Sequence, residues 1–247
     1  MRAEPKTLVM GGSREAHGLI TGLLTRRRKI IASLPEPERM FDAFPVPTRI
    51  GAFDSDRAFS NWLQENQVST VIDASHAFDS DISAMAGAVC TKMDLRYLRV
   101  LRPPWTETVR DKWLHVSTIA QAMPLVPQRA RVFSNTGLAT LHEYAEFNGQ
   151  KLYVRQTHSP RNTAPYPFIE FVEGTPPFSQ FQEQRLFQDL SISHLICRNV
   201  GGAASMSKLL AARELAIPVY MIGRTVPLAH LPQVESVVEA LAWEANL

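Results

Sequence analysis

The sequence predicts an α/β protein of two Rossmann-like or flavodoxin-like domains, each built on a mainly parallel sheet, with an interdomain cleft. Three observations predict it. Short apolar runs alternate with stretches whose apolar residues recur at helical spacing, the pattern of strands joined by crossover helices. The first apolar run ends at Gly11-Gly12-Ser13, a strand-to-helix turn. Near the middle, Met123-Pro124-Leu125-Val126-Pro127 breaks the alternation, which then restarts. That stretch is the linker expected between one domain over residues 1–122 and a second over residues 128–247.

Thr7 to Met10 reads as a buried strand, and Ala16, Leu19, Ile20, Leu23 and Leu24 follow at helical spacing. A strand is expected over Lys29 to Leu34, then a proline-rich loop through Pro47 and a short strand over Arg49 to Phe53. Asp54 to Asn66 reads as a helix with Phe59, Trp62 and Leu63 on one face, and Ser69 to Asp73 as the next strand. Ile82, Met85, Ala86, Val89 and Cys90 form a clear helical stripe ahead of a strand over Leu95 to Leu101. After the linker, strands are expected over Arg131 to Ser134, Lys151 to Gln156, Phe168 to Val172, Ser193 to Cys197 and Pro218 to Ile222. Helices are expected over Leu138 to Phe147, Phe178 to Leu190 and Ser207 to Leu215. The closing helix carries Val234, Val237, Val238, Leu241 and Ala242 as its stripe. No close internal sequence repeat is visible.

Composition narrows the function. The chain has 247 residues, 45% of them hydrophobic, enough for two cores. Lys+Arg at 26 barely exceed Asp+Glu at 24, so no nucleic-acid partner is expected. Arg26-Arg27-Arg28-Lys29, the densest basic run, reads as a solvated helix end. Cys90 and Cys197 lie apart in apolar stretches and read as buried thiols, which fits a reducing compartment. The opening residues do not read as a signal peptide, and no stretch approaches the ~18 apolar residues of a membrane span. A cytoplasmic protein with no membrane partner is expected. The histidines are scattered, without HExxH or HxH, so no metal site is expected. None of the tyrosines has Lys four residues on, which excludes the catalytic pair of short-chain dehydrogenases.

A strand entering Gly11-Gly12-Ser13-Arg14 and then a helix can cradle a phosphate. Glycine lets backbone approach a pyrophosphate, and the helix's first amides favour an anion. Ser13 is also placed to cap the helix. The spacing is not GxGxxG, and such turns also occur for steric reasons alone. About 20 residues on, NAD sites place an acidic residue. Here Ser33-Leu34 stands there with Arg39 nearby, a pairing suited to a 2′-phosphate, which favours NADPH over NADH. Arg39 as a plain loop charge is the rival reading.

Val71-Ile72-Asp73-Ala74-Ser75-His76-Ala77-Phe78 resembles the IDATHPF signature of the precorrin-6A reductase family, with Ser75 for Thr and Ala77 for Pro. Gly11-Gly12-Ser13-Arg14-Glu15-Ala16 resembles its GGTxEA opening, and Arg99-Val100-Leu101-Arg102-Pro103-Pro104-Trp105 its RxxRPxW. Arg198-Asn199-Val200-Gly201-Gly202 with Lys208-Leu209-Leu210-Ala211-Ala212-Arg213 resembles its K(D/N)SGG…KxxAA region, although Arg198 and Val200 depart from it. The blocks run in register over most of the chain.

The resemblance implies NADPH-dependent reduction of precorrin-6A to precorrin-6B on the route to cobalamin, vitamin B12. Gly11, Gly12, Ser13, Arg14, Ser33 and Arg39 would hold the cofactor, with Asp73, Ala74, Ser75 and His76 at the nicotinamide end. His76 is the one candidate proton donor, with a structural hydrogen-bonding role as its rival; no other catalytic residue is assigned. The tetrapyrrole carries acetate and propionate groups, which cations and backbone amides would bind. Arg14, Arg102, Trp105, Arg198, Asn199 and Lys208 lie in the matching motifs, and Thr136-Gly137 and Gly201-Gly202 offer a second anion cradle. Transient contact with other enzymes of the pathway is the one protein partnership expected. Two alternatives stay open: a cobalt-precorrin-6A reductase of the anaerobic route, and a dinucleotide-binding sensor without chemistry.

Overall fold

Period-two alternation sorts the side chains of the first strands onto two helical layers. β1 (Lys6–Met10) runs through α1 (Glu15–Thr25) to β2 (Ile30–Leu34) and β3 (Thr48–Ile50), and α2 (Asp56–Glu65) leads to β4 (Val68–Asp73). α3 (Ser80–Lys92) precedes β5 (Arg96–Val100). Val9, Ile72, Leu98 and Val100 pack with Leu19, Ile20 and Leu23 of α1 on one face. Leu8, Met10, Val71 and Tyr97 turn the other way, onto Phe59 and Leu63 of α2 and Val89 and Cys90 of α3.

The chain continues through β6 (Trp113–Val116), α4 (Ile119–Ala122), a 3-10 turn over Met123–Leu125, β7 (Arg131–Ser134) and a 3-10 segment over Leu138–Tyr144. β8 (Lys151–Gln156), β9 (Ile169–Glu173), α5 (Gln180–Asp189) and β10 (His194–Arg198) follow. A 3-10 turn over Ala203–Ser205, α6 (Ser207–Glu214), β11 (Val219–Ile222), β12 (Gln233–Val234) and α7 (Val237–Ala245) complete it. This computed structural model describes residues 5–37, 43–157, 163–224 and 231–246. Among the described residues, no helix is long and apolar enough to cross a membrane.

The elements divide into two units, Met1–Pro103 with Val226–Leu247, and Pro104–Thr225. The first unit's sheet has the order β3-β2-β1-β4-β5-β12, the second's β9-β8-β7-β10-β11-β6. Every strand pair in both is parallel. Each sheet thus shows the doubly wound order 3-2-1-4-5-6, with its sixth place filled out of sequence. β12, from the far end of the chain, pairs with β5 through Gln233↔Arg99, and β6, which precedes β7, pairs with β11 through Trp113↔Val219. In the second unit Phe133, Tyr153, Leu195 and Val219 pack on Phe187 of α5 and Leu209 of α6.

Four expectations need correction. The division falls at Pro103/Pro104 and returns at Val226, not across 122/128, because β6 hydrogen-bonds into the second sheet and β12 into the first. Met123 is 1% exposed, so the proline-rich stretch is a packed turn of the second unit and not a linker. Val234 lies in β12 and Val238 is 77% exposed, so of the expected stripe it is Val237 and Leu241 that pack on the first core from the closing helix, beside the fully buried Ala240. Arg26 and Arg28 are not a merely solvated end: both reach Glu244, which is 3% exposed, and so fasten α7 to α1's end.

Candidate functional site

In an open parallel sheet, ligands bind beyond the carboxyl ends of the strands where the winding reverses. In the first unit that point lies between β1 and β4. The turns that follow these strands are laced together. The Ser13 amide and hydroxyl both donate to the Ala74 carbonyl, at 3.1 and 2.8 Å, and the Ala74 amide donates to Met10 O at 2.8 Å. Gly11 N–H donates to the carbonyl of Ser33, at the end of β2, at 2.8 Å. Gly12 has φ +143°, and a Cβ there would lie 2.9 Å from the His76 backbone nitrogen. Glycine at 12 is therefore required twice, by its dihedral and by the approach of the β4 loop. Gly11, Gly12, Ser13, Ser33, Ala74, Ser75 and His76 are brought to one edge.

Ser13 does not cap α1 as expected; its hydroxyl is drawn to Ala74 instead. Arg14 occupies the cap position in helical conformation, without a side-chain cap hydrogen bond. In the first turn, Arg102 Nη1 donates to both carboxylate oxygens of Glu15, at 2.8 and 2.7 Å. Burial pulls the Glu15 carboxyl upward, but the hydrogen bond and charge of Arg102 outweigh it and leave the group below its ordinary value. Arg102 therefore neutralises the one carboxylate of α1's first turn. Arg14 is exposed.

Beside this turn lies a pocket of about 240 Å³, lined by Met10, Gly11, Ser33, Pro35, Gly51, Ala52, Phe53, Ser75, Asp79, Asp81, Ile82 and Met85. Its walls combine apolar side chains with Ser33, Ser75, Asp79 and Asp81, a mainly apolar surface with a few polar groups, suited to a base and a sugar. Ser33 is the penultimate residue of β2, close to where a site built for the 2′-hydroxyl of NAD would hold a carboxylate. Arg39, the other residue expected there, lies outside the described residues.

Asp73 is fully buried: its Oδ1 accepts from the Ser75 amide at 3.0 Å and its Oδ2 from the Tyr97 hydroxyl at 2.7 Å. Tyr97 also reaches Ser83 O, at 3.3 Å, and the hydroxyls of Ser75 and Ser83 stand 3.3 Å apart. Burial, then the charge of Asp73, pushes the Tyr97 hydroxyl far up and the Cys90 thiol to about 12, so both stay protonated. Asp73 thus faces inward and holds the loop that carries Ser75 and His76. His76 Nδ1 accepts from the Phe78 amide at 3.3 Å, which puts the proton of a neutral ring on Nε2.

In the second unit the winding reverses between β7 and β10, and the motifs Thr136-Gly137 and Asn199 to Gly202 follow those strands. The hydroxyls of Ser134, Thr136 and Tyr144 form a triangle with sides of 3.1, 2.7 and 3.0 Å, and Thr140 donates to Thr136 Oγ1 at 2.9 Å. Thr136 O and Gly137 O also lie within reach of that one Thr140 proton, at 3.3 and 3.1 Å, in a tight turn where a longer α-helix was expected. Burial pushes the Tyr144 hydroxyl to about 12. Asn199 Oδ1 accepts from Trp105 N at 2.7 Å and its Nδ2 donates to Trp105 O at 3.0 Å. Trp105 Nε1 donates to Gly202 O at 2.8 Å, and the Lys208 ammonium sits 5.2 Å from the Trp105 ring. Trp105, Asn199, Gly202 and Lys208 are one cluster. Gly201 stands in the same loop, and Arg198 ends β10. Among the described residues, no group of three or more His, Cys, Asp or Glu side chains is placed to hold a metal ion.

Sequence reasoning missed Tyr97, Ser83, Ser134, Thr140 and Tyr144, which no spacing rule joins to the motifs they support. Glu15 stands inside the quoted opening motif and could have been found there.

The family described as "Precorrin-6x reductase CbiJ/CobK" matches residues 6–245. A precorrin-6A reductase of Rhodobacter capsulatus is 33% identical over 220 residues, which cover 89% of this chain and 88% of that protein. One of Mycobacterium tuberculosis is 33% identical over 248 residues, covering 98% of each. A solved structure titled "CobK precorrin-6A reductase" superposes with a TM-score of 0.89 at 32% identity, covering 98% of this chain and 96% of that one.

Proposed function

From the chain's membership of the precorrin-6x reductase family, we propose that it reduces precorrin-6A to precorrin-6B with NADPH, in cobalamin biosynthesis. The observation that carries the reading is the Gly11-Gly12-Ser13 turn at the reversal of the first sheet, laced to the loop that holds His76. The residues fit a dinucleotide: a backbone kept open at Gly12, an amino end of α1 without a side-chain cap, and a mainly apolar pocket with Ser33, Ser75, Asp79 and Asp81 in its walls.

When bound, NADPH supplies a hydride, and the balance requires one proton: substrate, NADPH and H⁺ give the reduced macrocycle and NADP⁺. The chain's part is to bind, orient and deliver that proton. Gly12 and Ser13 approach the pyrophosphate, and the Ser33 hydroxyl with Arg39 reads the ribose phosphate. Arg102 keeps the Glu15 carboxylate from opposing the anion. Asp73 fixes the loop from below, and His76 Nε2 holds the proton delivered to the macrocycle. In the second unit the Thr136-Gly137 turn, Arg198, Gly201 and Lys208 receive the substrate's carboxylates.

The test is anaerobic incubation with precorrin-6A and NADPH, followed by absorbance at the reduced-nicotinamide band and product mass. The expected result is stoichiometric NADPH oxidation with a gain of two hydrogens. NADPH bound but not consumed would make the chain a sensor, and turnover only of cobalt-loaded substrate would move it to the anaerobic route. Arg39→Glu is expected to raise the KM for NADPH far more than that for NADH; equal loss of both removes Arg39 from the phosphate role.

A further inference from the structure

We propose that Arg49 is a specificity-determining residue for the cofactor, its guanidinium fork binding the 2′-phosphate that distinguishes NADPH from NADH; this rests on the reading above. Arg49 is the middle residue of β3 and pairs in register with Ser33 of β2. Register partners in neighbouring strands turn to the same face of the sheet. Ser33 lines the pocket beside the glycine turn, so Arg49 leaves β3 on the pocket's side. The guanidinium lies accordingly. Its Nη1 donates to Gly51 O, its Nη2 donates to Ala52 O at 2.8 Å, and its Cζ stands 3.7 Å from the centre of the Phe53 ring. Gly51, Ala52 and Phe53 are all pocket wall.

The cation is held in place without being used up. Phe53 beneath it is wedged against Phe59 and Trp62 of α2, with ring centres 4.8 and 5.7 Å apart, so the platform is fixed. Among the described residues, the acceptors of the half-buried Arg49 are the two neutral loop carbonyls. A guanidinium has five N–H donors, so the fork keeps donors for an anion, and its fixed position lowers the cost of binding one. Charge is also sorted across the pocket. Asp79 and Asp81 belong to the segment that opens α3, after β4, whereas Ser33 and Arg49 belong to β2 and β3, on the other side of β1. A dinucleotide whose pyrophosphate rests at the turn after β1 sets its adenosine ribose over the end of β2. A phosphate on that ribose then falls on the cationic side, away from the aspartates.

The experiment is isothermal titration calorimetry of the whole protein, without tetrapyrrole, against 2′,5′-ADP and 5′-AMP, which differ by this one phosphate. Wild type, Arg49→Gln and Arg49→Lys are compared, and wild type should bind 2′,5′-ADP the more tightly. Losing hydrogen bonds to a charged group is expected to weaken 2′,5′-ADP by about tenfold or more in Arg49→Gln, and 5′-AMP by less than about twofold. Arg49→Lys keeps the charge without the fork and should retain only part of the preference. In turnover, the KM for NADPH should rise in Arg49→Gln while kcat and the KM for NADH hold. The assignment is overturned if Arg49→Gln keeps the wild-type preference, which leaves the phosphate to Arg39. It is equally overturned if both nucleotides weaken alike, which is what a mere clamp on the Gly51 loop would do. Should Arg49→Gln not fold, Arg49→Lys decides alone, and a full wild-type preference in it defeats the fork. A wild-type protein that binds the two nucleotides equally defeats the NADPH reading itself, a result separate from the failure of Arg49.

Discussion

Replacing Gly12 with alanine tests whether the first turn is held open by close backbone approach. Two costs are expected. The dihedral of +143° lies where side chains are strained by about 1–3 kcal/mol. The new Cβ would also stand 2.9 Å from the His76 nitrogen, a backbone atom that cannot swing aside. Overpacking of this kind costs about 1–3 kcal/mol. Gly137→Ala is the control, since φ there is +89° but a Cβ meets nothing within 4 Å. The two variants share the dihedral cost, so their difference isolates the overlap. At about 2–4 °C per kcal/mol, Gly12→Ala should melt roughly 2–12 °C below Gly137→Ala. Thermal unfolding by circular dichroism measures the difference, and NADPH fluorescence titration measures the site. The titration should show weakened binding in Gly12→Ala and near-normal binding in Gly137→Ala. Equal melting temperatures with equal NADPH affinity would refute the close-approach reasoning.

Tyr97→Phe removes the donor to Asp73 Oδ2 and should cost about 1–3 kcal/mol, read as a lower Tm; an unchanged Tm would show that the bond carries no net weight. Glu183→Gln leaves Arg155 buried without its carboxylate partner and should cost about 3–5 kcal/mol in urea unfolding, while a loss under 1 kcal/mol would argue that the Phe133 and Phe178 rings suffice to hold the cation. Glu15 sits below its ordinary value of 4.5 in the folded protein, so the unfolded chain takes up its proton first as pH falls. The stability it contributes is complete above the ordinary carboxylate range and is lost as pH drops through the folded value. Tm measured from pH 6 down to pH 3 should therefore fall less steeply in Glu15→Gln than in wild type, and parallel curves would contradict the assignment.

Much of the architecture could be read before any coordinates. The strands at Arg131 to Ser134 and Lys151 to Gln156 stand where the apolar runs place them, because a buried central strand writes its burial into nearly every residue. β6 and β12 escaped notice for the opposite reason. Two of the four residues of Trp113–Val116 are exposed, and β12 has only two residues, so neither edge strand leaves a pattern. At the site, the glycine turn and the Asp73 to His76 loop were legible because each directly follows a strand. The inward role of Asp73 was not. Its partner Tyr97 lies 24 residues away and meets it only through the register of β4 with β5.

The out-of-order sixth strands decide when each half can mature on the ribosome. Pro104–Thr225 is one unbroken stretch and can complete its sheet as soon as it emerges. The opening half cannot: β5 stays an unprotected edge until the last residues deliver β12 and the Glu244 anchor. A premature stop that removes only these final segments would therefore wound the amino-terminal half, with its glycine turn, and spare its neighbour. Conversely, joining the ends and reopening the chain between Pro103 and Pro104 would let each half be made in a single pass.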